Sequence, residues 1–180
     1  ALAARLIMLA LVAALVVVAT RSASQLWWVA LLAIAGLPVL VPAAQQRLSA
    51  LGRPPAPVLA RLAWLGRLGR LGRLAEVIVV SLGASAIAVH TQPHLPAGAG
   101  AGALLPYLGV PMIAVALRRR TAEAATLLAV AATVLAVSGA LTYADGERLI
   151  TQEWYLVFCA QWLVLAGLAG VIGRALHLTA

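Results

Sequence analysis

The stretch AGALLPYLGVPMIAVALRRRTAEAATLLAVAATVLAVSGALTY (101–143) sets two apolar runs on either side of Arg118, Arg119 and Arg120. Each run approaches the roughly 20 residues that an α-helix needs to cross the hydrocarbon of a bilayer. A basic turn between two such runs marks the cytoplasmic side. The same pattern extends in both directions. Residues 2–20, 26–43, 74–90, 101–117, 122–143 and 154–173 are predominantly apolar. They predict an all-α fold: one polytopic membrane helix bundle, residues 1–180, with six transmembrane helices. Trp27 and Trp28 open the second run, and Trp154 and Tyr155 the sixth, as aromatics do at the headgroup level. Arg5 lies near enough to the start of the first run to snorkel to the interface. Pro38 and Pro42 are expected to kink or end the second run. Pro106, Gly109 and Pro111 interrupt the fourth, which is read as a crossing, with a broken or re-entrant helix as the alternative.

Composition supports the membrane reading. Of 180 residues 64% are apolar and 10% charged, which leaves too little polar side chain to coat a water-soluble domain. An ordinary cytosolic enzyme, a disordered tail and a disulfide-stapled module are thereby excluded. All 13 basic residues are arginine, against 5 acids, a usage that suits a GC-rich actinobacterial genome. The arginines fall between apolar runs, so membrane orientation accounts for the basic balance and no nucleic-acid partner is expected. Cys159 stands alone and reads as a small packing residue.

Arginine placement then sets the orientation. The 44–73 linker carries Arg47, Arg53, Arg61, Arg67, Arg70 and Arg73; the turn after the fourth run carries Arg118–Arg120; Arg174 follows the sixth. Six crossings put all ten on one side and only Arg21 and Arg148 on the other. The expectation is a multi-pass protein of the cell membrane with both termini cytoplasmic. Within the linker, GRPPAP (52–57) is unfit for a helix interior. VLARLAWLGRLGRLGRLAE (58–76) repeats Leu-Gly-Arg three times. A three-residue period drifts around a 3.6-residue helix, so the arginines spread over its surface. The segment reads as an interfacial Arg-rich helix leading into the third span, its arginines on anionic headgroups. A voltage sensor is rejected, because such arginines lie inside a span among bulky apolar residues.

Few side chains are candidates for chemistry. Glu76, at the start of the third run, is an acid that would be costly in a membrane and so a candidate for ion or proton coupling. The plainer reading is an interfacial pair with Arg73, three residues earlier. His90 and His94 have a one-face helical spacing, but Pro93 separates them; they are weak metal candidates, and no metal motif joins them. Asp145, Glu147 and Glu153 share the outer side with them, the one set open to a lipid-modifying metalloenzyme. PAGAGAGA (96–103) lacks the ending of a phosphate loop. Gly167, Gly170 and Gly173 form a small-residue helix-packing face, for an internal contact or a dimer seam. Gln161 reads as an interhelical hydrogen-bonding amide. No catalytic residue and no cofactor is assigned.

LLPYLGVPMIAVALRRR (104–120), the small-residue span after it, and the Trp-opening sixth run ending AGLAGVIGRAL (166–176) resemble the N-terminal multi-span input region of actinobacterial sensor histidine kinases, including the GAF-containing type. The resemblance covers about residues 100–176. It implies a sensory or anchoring module of a two-component system, with a cytoplasmic kinase part after the sixth helix. No phospho-accepting histidine or ATP-binding lobe lies in these 180 residues, and His177 is not given that role. The expected partners are the lipid bilayer, a second copy of the chain through the membrane helices, and that output domain. A small permease or transporter subunit is the alternative, motivated by Glu76 and the proline-interrupted runs.

Overall fold

The computed structural model describes residues 2–49, 57–91, 101–117 and 121–179. It is all-helical, with α1 (Leu2–Thr20), α2 (Leu26–Ser49), α3 (Pro57–Thr91), α4 (Gly109–Ala116), α5 (Thr121–Leu141) and α6 (Glu153–Thr179). Among the described residues three stretches are long and apolar enough to cross a membrane: Arg67–Val89, Thr121–Leu141 and Glu153–Ala175. Arg5–Thr20, Ala23–Val39 and Leu105–Ala116 are shorter apolar helices.

Two proline expectations resolve differently. α2 runs unbroken past Pro38 and Pro42 to Ser49. Each proline omits its own N–H bond and crowds the carbonyl four residues before it, and the four-residue spacing keeps both perturbations on one side of the helix. The fourth run is broken instead. Short 3-10 turns at Ala101–Ala103 and Leu105–Leu108 precede an α4 of 8 residues. Pro57 opens α3, where a missing N–H costs nothing. The Leu-Gly-Arg repeat and the third run are one 35-residue helix, with no boundary between them.

The segments alternate in direction. A Cβ on Gly83 would meet Trp28, on Gly36 it would meet Glu76, and on Gly72 it would meet Val39. The numbers rise on α2 as they fall on α3, so these helices are antiparallel; they also form the most extensive helix pair. Gly139 faces Tyr155 and Gly167 faces Leu128, making α5 and α6 antiparallel. Gly170 on Met112 and Gly173 on Ala116 set α6 parallel to α4. α3 is the hub: 61% of its apolar window is buried, against 22% for α5 and 17% for α6.

Between α5 and α6 the chain forms a hairpin, β1 (Tyr143–Ala144) with β2 (Glu147–Arg148), in antiparallel register Tyr143 to Arg148 and Ala144 to Glu147. Asp145 and Gly146 hold φ of 54° and 84°, the two positive values of a type I′ turn, for which Asp-Gly is a preferred pair. The exposed surface is apolar in consequence of the helical runs: Val18, Ile34, Leu141, Val164 and Val171 all point outward. Among the described residues three charged side chains, Arg5, Arg73 and Glu76, are nevertheless buried.

Glycine positions test the packing. A Cβ at Gly139 would lie 2.6 Å from Cε1 of Tyr155, a ring held by its hydroxyl, whereas one at Gly109, in helical conformation, meets nothing within 4 Å. In detergent-solubilised protein, Gly139→Ala is expected to lower unfolding stability by about 1–3 kcal/mol. Gly109→Ala is expected to leave it unchanged or raise it by about 0.4–1 kcal/mol. Thermal unfolding of the pair checks both.

Candidate functional site

α3 carries polar side chains at three levels, and each level ties it to other elements of the bundle. At the first, the buried Arg73 donates from Nε to Glu123 Oε1 at 2.9 Å and again from Nη2, tying α3 to the first turn of α5. At the second, Glu76 is fully buried. Arg5 Nη1 donates to its Oε1 at 2.5 Å and Nη2 to its Oε2 at 3.3 Å, a two-pronged contact across 71 residues of sequence. The Tyr107 hydroxyl, also buried, donates to Glu76 Oε1 at 3.3 Å from the 3-10 turn before α4. At the third level the Ser85 hydroxyl lies 2.6 Å from Ser138 Oγ of α5 and 2.9 Å from the Tyr155 hydroxyl of α6. Tyr155 in turn donates to the Leu135 carbonyl at 2.8 Å.

The second level is the candidate site. A carboxylate and a guanidinium here neutralise one another, and the phenol supplies a further donor, so the carboxylate oxygens have partners from two elements. Gly36 makes room: a Cβ there would stand 2.8 Å from Glu76 Oε1 and 3.2 Å from Arg5 Nη1. Beside the pair, between Arg5, Leu32, Gly36 and Tyr107, is a crevice of about 30 Å³, room for about one water molecule. The chemistry available is retention of a buried charge pair, or uptake and release of a proton at Glu76. Nothing in the cluster is a nucleophile with an adjacent base, and among the described residues no three His, Cys, Asp or Glu gather as a metal site.

Several sequence expectations change here. Arg73 and Glu76 do not take each other as hydrogen-bonding partners; each is bonded to a residue on another helix. Arginine preceding glutamate is the poorer order for a local helical pair, and burial rewards the partner that encloses the charge. Arg5 turns inward to Glu76 and does not snorkel. Gln161 lies on the exposed side of α6 and, among the described residues, makes no hydrogen bond to another helix. Gly170 and Gly173 are buried against Met112 and Ala116, and Gly167 sits 3.6 Å (from an added Cβ) from Leu128, so this face is occupied within the chain. Cys159 is buried. The backbone of His90 is in the last turn of α3; His94 lies outside the described residues. Asp145, Glu147 and Glu153 are exposed on the hairpin and the start of α6. Tyr107 and Arg5 were the site residues missed. Tyr107 had a signal, a phenol between Pro106 and Pro111 in an otherwise apolar run.

No protein-family model, curated protein or solved structure matches the chain.

Breaking a buried pair from one side strands a charge. Arg5→Met and Glu76→Met are each expected to cost about 3–5 kcal/mol. The double variant, with no charge left uncompensated, is expected to lose less than either single change. Equilibrium unfolding in detergent, run as a double-mutant cycle, measures the coupling. Additive losses would dispose of the pair as a unit.

Proposed function

We propose that the chain is a six-span bundle of the cell membrane, both termini cytoplasmic, that works as the sensory or anchoring input module of a signalling protein. Support for six passes comes from the alternating direction of the six segments and from the grouping of Arg67, Arg70, Arg73 and Arg174 at one end of the bundle, with the Arg-rich first half of α3 at that interface. The output would be a cytoplasmic domain following α6, of the histidine-kinase kind that residues 100–176 resemble.

The observation that carries this reading is how α6 is attached. One end is pinned by Tyr155 to Ser85 and Leu135. The next turns pack Phe158, Cys159, Trp162 and Leu163 against the core, and from Ala166 onward the helix rests on α4 and α5 through Ala166, Gly167, Gly170 and Gly173, which offer contact without interlocking. Its other faces expose Leu156, Val164, Leu165, Leu168, Val171 and Ile172, the surface available for a second copy. A helix anchored over its first half and smoothly seated over its last has two nearby packings of that last half for a stimulus to choose between.

The test uses the full product of the gene in lipid nanodiscs. Gly170→Leu, which fills the seat against Met112, is expected to change autophosphorylation severalfold, in line with coupling energies of about 1–3 kcal/mol. Val171→Leu, on the exposed face, is expected to leave it unaltered. Equal effects, or a coding sequence that stops at Ala180, overturn the proposal.

A second reading is a small permease. It is favoured by a buried carboxylate beside a broken helix and a water-sized crevice, an arrangement that midplane transport sites share. Under it, proteoliposomes take up substrate and Glu76→Gln, shown to be folded by size-exclusion chromatography, abolishes uptake. Under the first reading, uptake matches protein-free vesicles.

A further inference from the structure

Where the arginine-bearing half of α3 faces the start of α5 there is a cleft of about 510 Å³, lined by Arg70, Leu74, Thr121, Glu123, Thr126 and Leu127. Its volume falls in the range of small-ligand sites. Its walls are of two kinds. Leu74 and Leu127 make an apolar floor, while Arg70 and the hydroxyls of Thr121 and Thr126 stand at the polar rim. Thr126 donates its proton to the Ala122 carbonyl at 2.9 Å; the Thr121 hydroxyl is exposed. One acid, Glu123, also lines the cleft. Its charge is offset by Arg73, which holds Oε1 through two donors.

Arg70 therefore decides the sign of the site. It is exposed, and among the described residues no carboxylate forms a salt bridge with it. Arg67, also exposed, precedes it by one turn, and in the sequence Arg118–Arg120 lead directly into Thr121. The site is thus a cation over an apolar floor, with Arg67 one turn before it on α3. Beyond it α3 leaves Leu71 and Ile78 exposed, a track of apolar side chains leading away from the rim.

We propose that this cleft binds the phosphate headgroup of an anionic phospholipid of the inner leaflet. Arg70 pairs with the phosphate oxygens, Thr121 donates a hydroxyl to them, and the acyl chains lie along the exposed apolar side of α3. Basic pockets between helices at the cytoplasmic side suit such headgroups. A soluble phosphate ester would present the same oxygens, but it has no use for the apolar track. The inference rests on the six-span orientation proposed above, which puts Arg70 at the inner interface.

The experiment is lipid retention by purified protein in neutral detergent, read by native mass spectrometry after equilibration with equal phosphatidylglycerol and phosphatidylcholine. Phosphatidylglycerol is expected to be retained in preference, and Arg70→Gln to reduce that preference about fivefold, the worth of one basic residue at an anionic surface. Arg148→Gln, an exposed arginine on the hairpin, is expected to leave it unchanged. Equal retention of the two lipids, or equal effects of the two variants, overturns the proposal. Displacement of the lipid by millimolar glycerol phosphate overturns the lipid source. Orientation is read separately, by labelling Arg70→Cys with an impermeant maleimide in inside-out and right-side-out vesicles; Cys159 is buried and gives little background. Labelling from outside would sink the topology while leaving the retention result to stand on its own.

Discussion

A guanidinium and a carboxylate meet where almost every other neighbour is a hydrocarbon side chain, and the arrangement of half the bundle follows from that contact. Separating Arg5 from Glu76 would leave two charges with neither water nor counter-ion, an outcome far more costly than any loss of packing. α1 is consequently fixed in both height and rotation against α3. The Tyr107 hydroxyl extends the constraint to the broken fourth segment, and Gly36 extends it to α2, because only a residue without a Cβ lets that backbone come so close. A buried pair of this type contributes little net stability over apolar packing. What it supplies is register, since no slipped alignment of α1 on α3 satisfies both ions.

The rest of the architecture repeats the logic with weaker bonds. α3 is more enclosed than α5 or α6, and among its buried positions it carries Arg73, Glu76, Ser81 and Ser85. Ser81 returns its proton to the Val77 carbonyl, which lets it be buried without a partner on another helix. Arg73 and Ser85 do need partners, and they bring in α5 at its two ends and α6 at one. The drift of the Leu-Gly-Arg repeat explains how one motif serves two purposes. Arg67 and Arg70 remain exposed while Arg73 has rotated into the interior, and Gly72 lets α3 come close to the Ala35 carbonyl and Val39 of α2.

Much of the fold was legible as hydrophobic periodicity and punctuation. The fifth and sixth runs, read as 122–143 and 154–173, correspond to helices Thr121–Leu141 and Glu153–Thr179, since long apolar stretches between charged turns leave few alternatives. The hairpin is equally legible in Asp145-Gly146, a pair that favours the type I′ turn. Gln161 could have been placed correctly as well. It lies two positions from the inward Cys159, about 200° around the helix, and so must face away. The ion pair was of another kind. Local spacing offers Glu76 only Arg73, and no periodicity connects it to a residue 71 positions away. Such a contact is created by tertiary packing, and the single hint was that Arg5 stood in an apolar run without a nearby acid.

The distribution of these constraints bears on which part of the bundle can move. α1, α2, α3 and the fourth segment share one buried charge cluster, so displacing any of them exposes an ion to hydrocarbon. α5 is fastened to α3 near both ends, by Arg73–Glu123 and by Ser85–Ser138. Among the described residues the interhelical hydrogen bonds of α6 are those of Tyr155, and from Ala166 onward it is seated on small side chains, where a modest shift forfeits dispersion contacts worth only tenths of a kcal/mol each. The energetic asymmetry is large: several kcal/mol guard the first five segments, and little beyond packing guards the far half of the sixth. A stimulus of ordinary binding strength could therefore redirect α6 without dismantling its support, and it is along this helix that any change in the bundle would travel most cheaply.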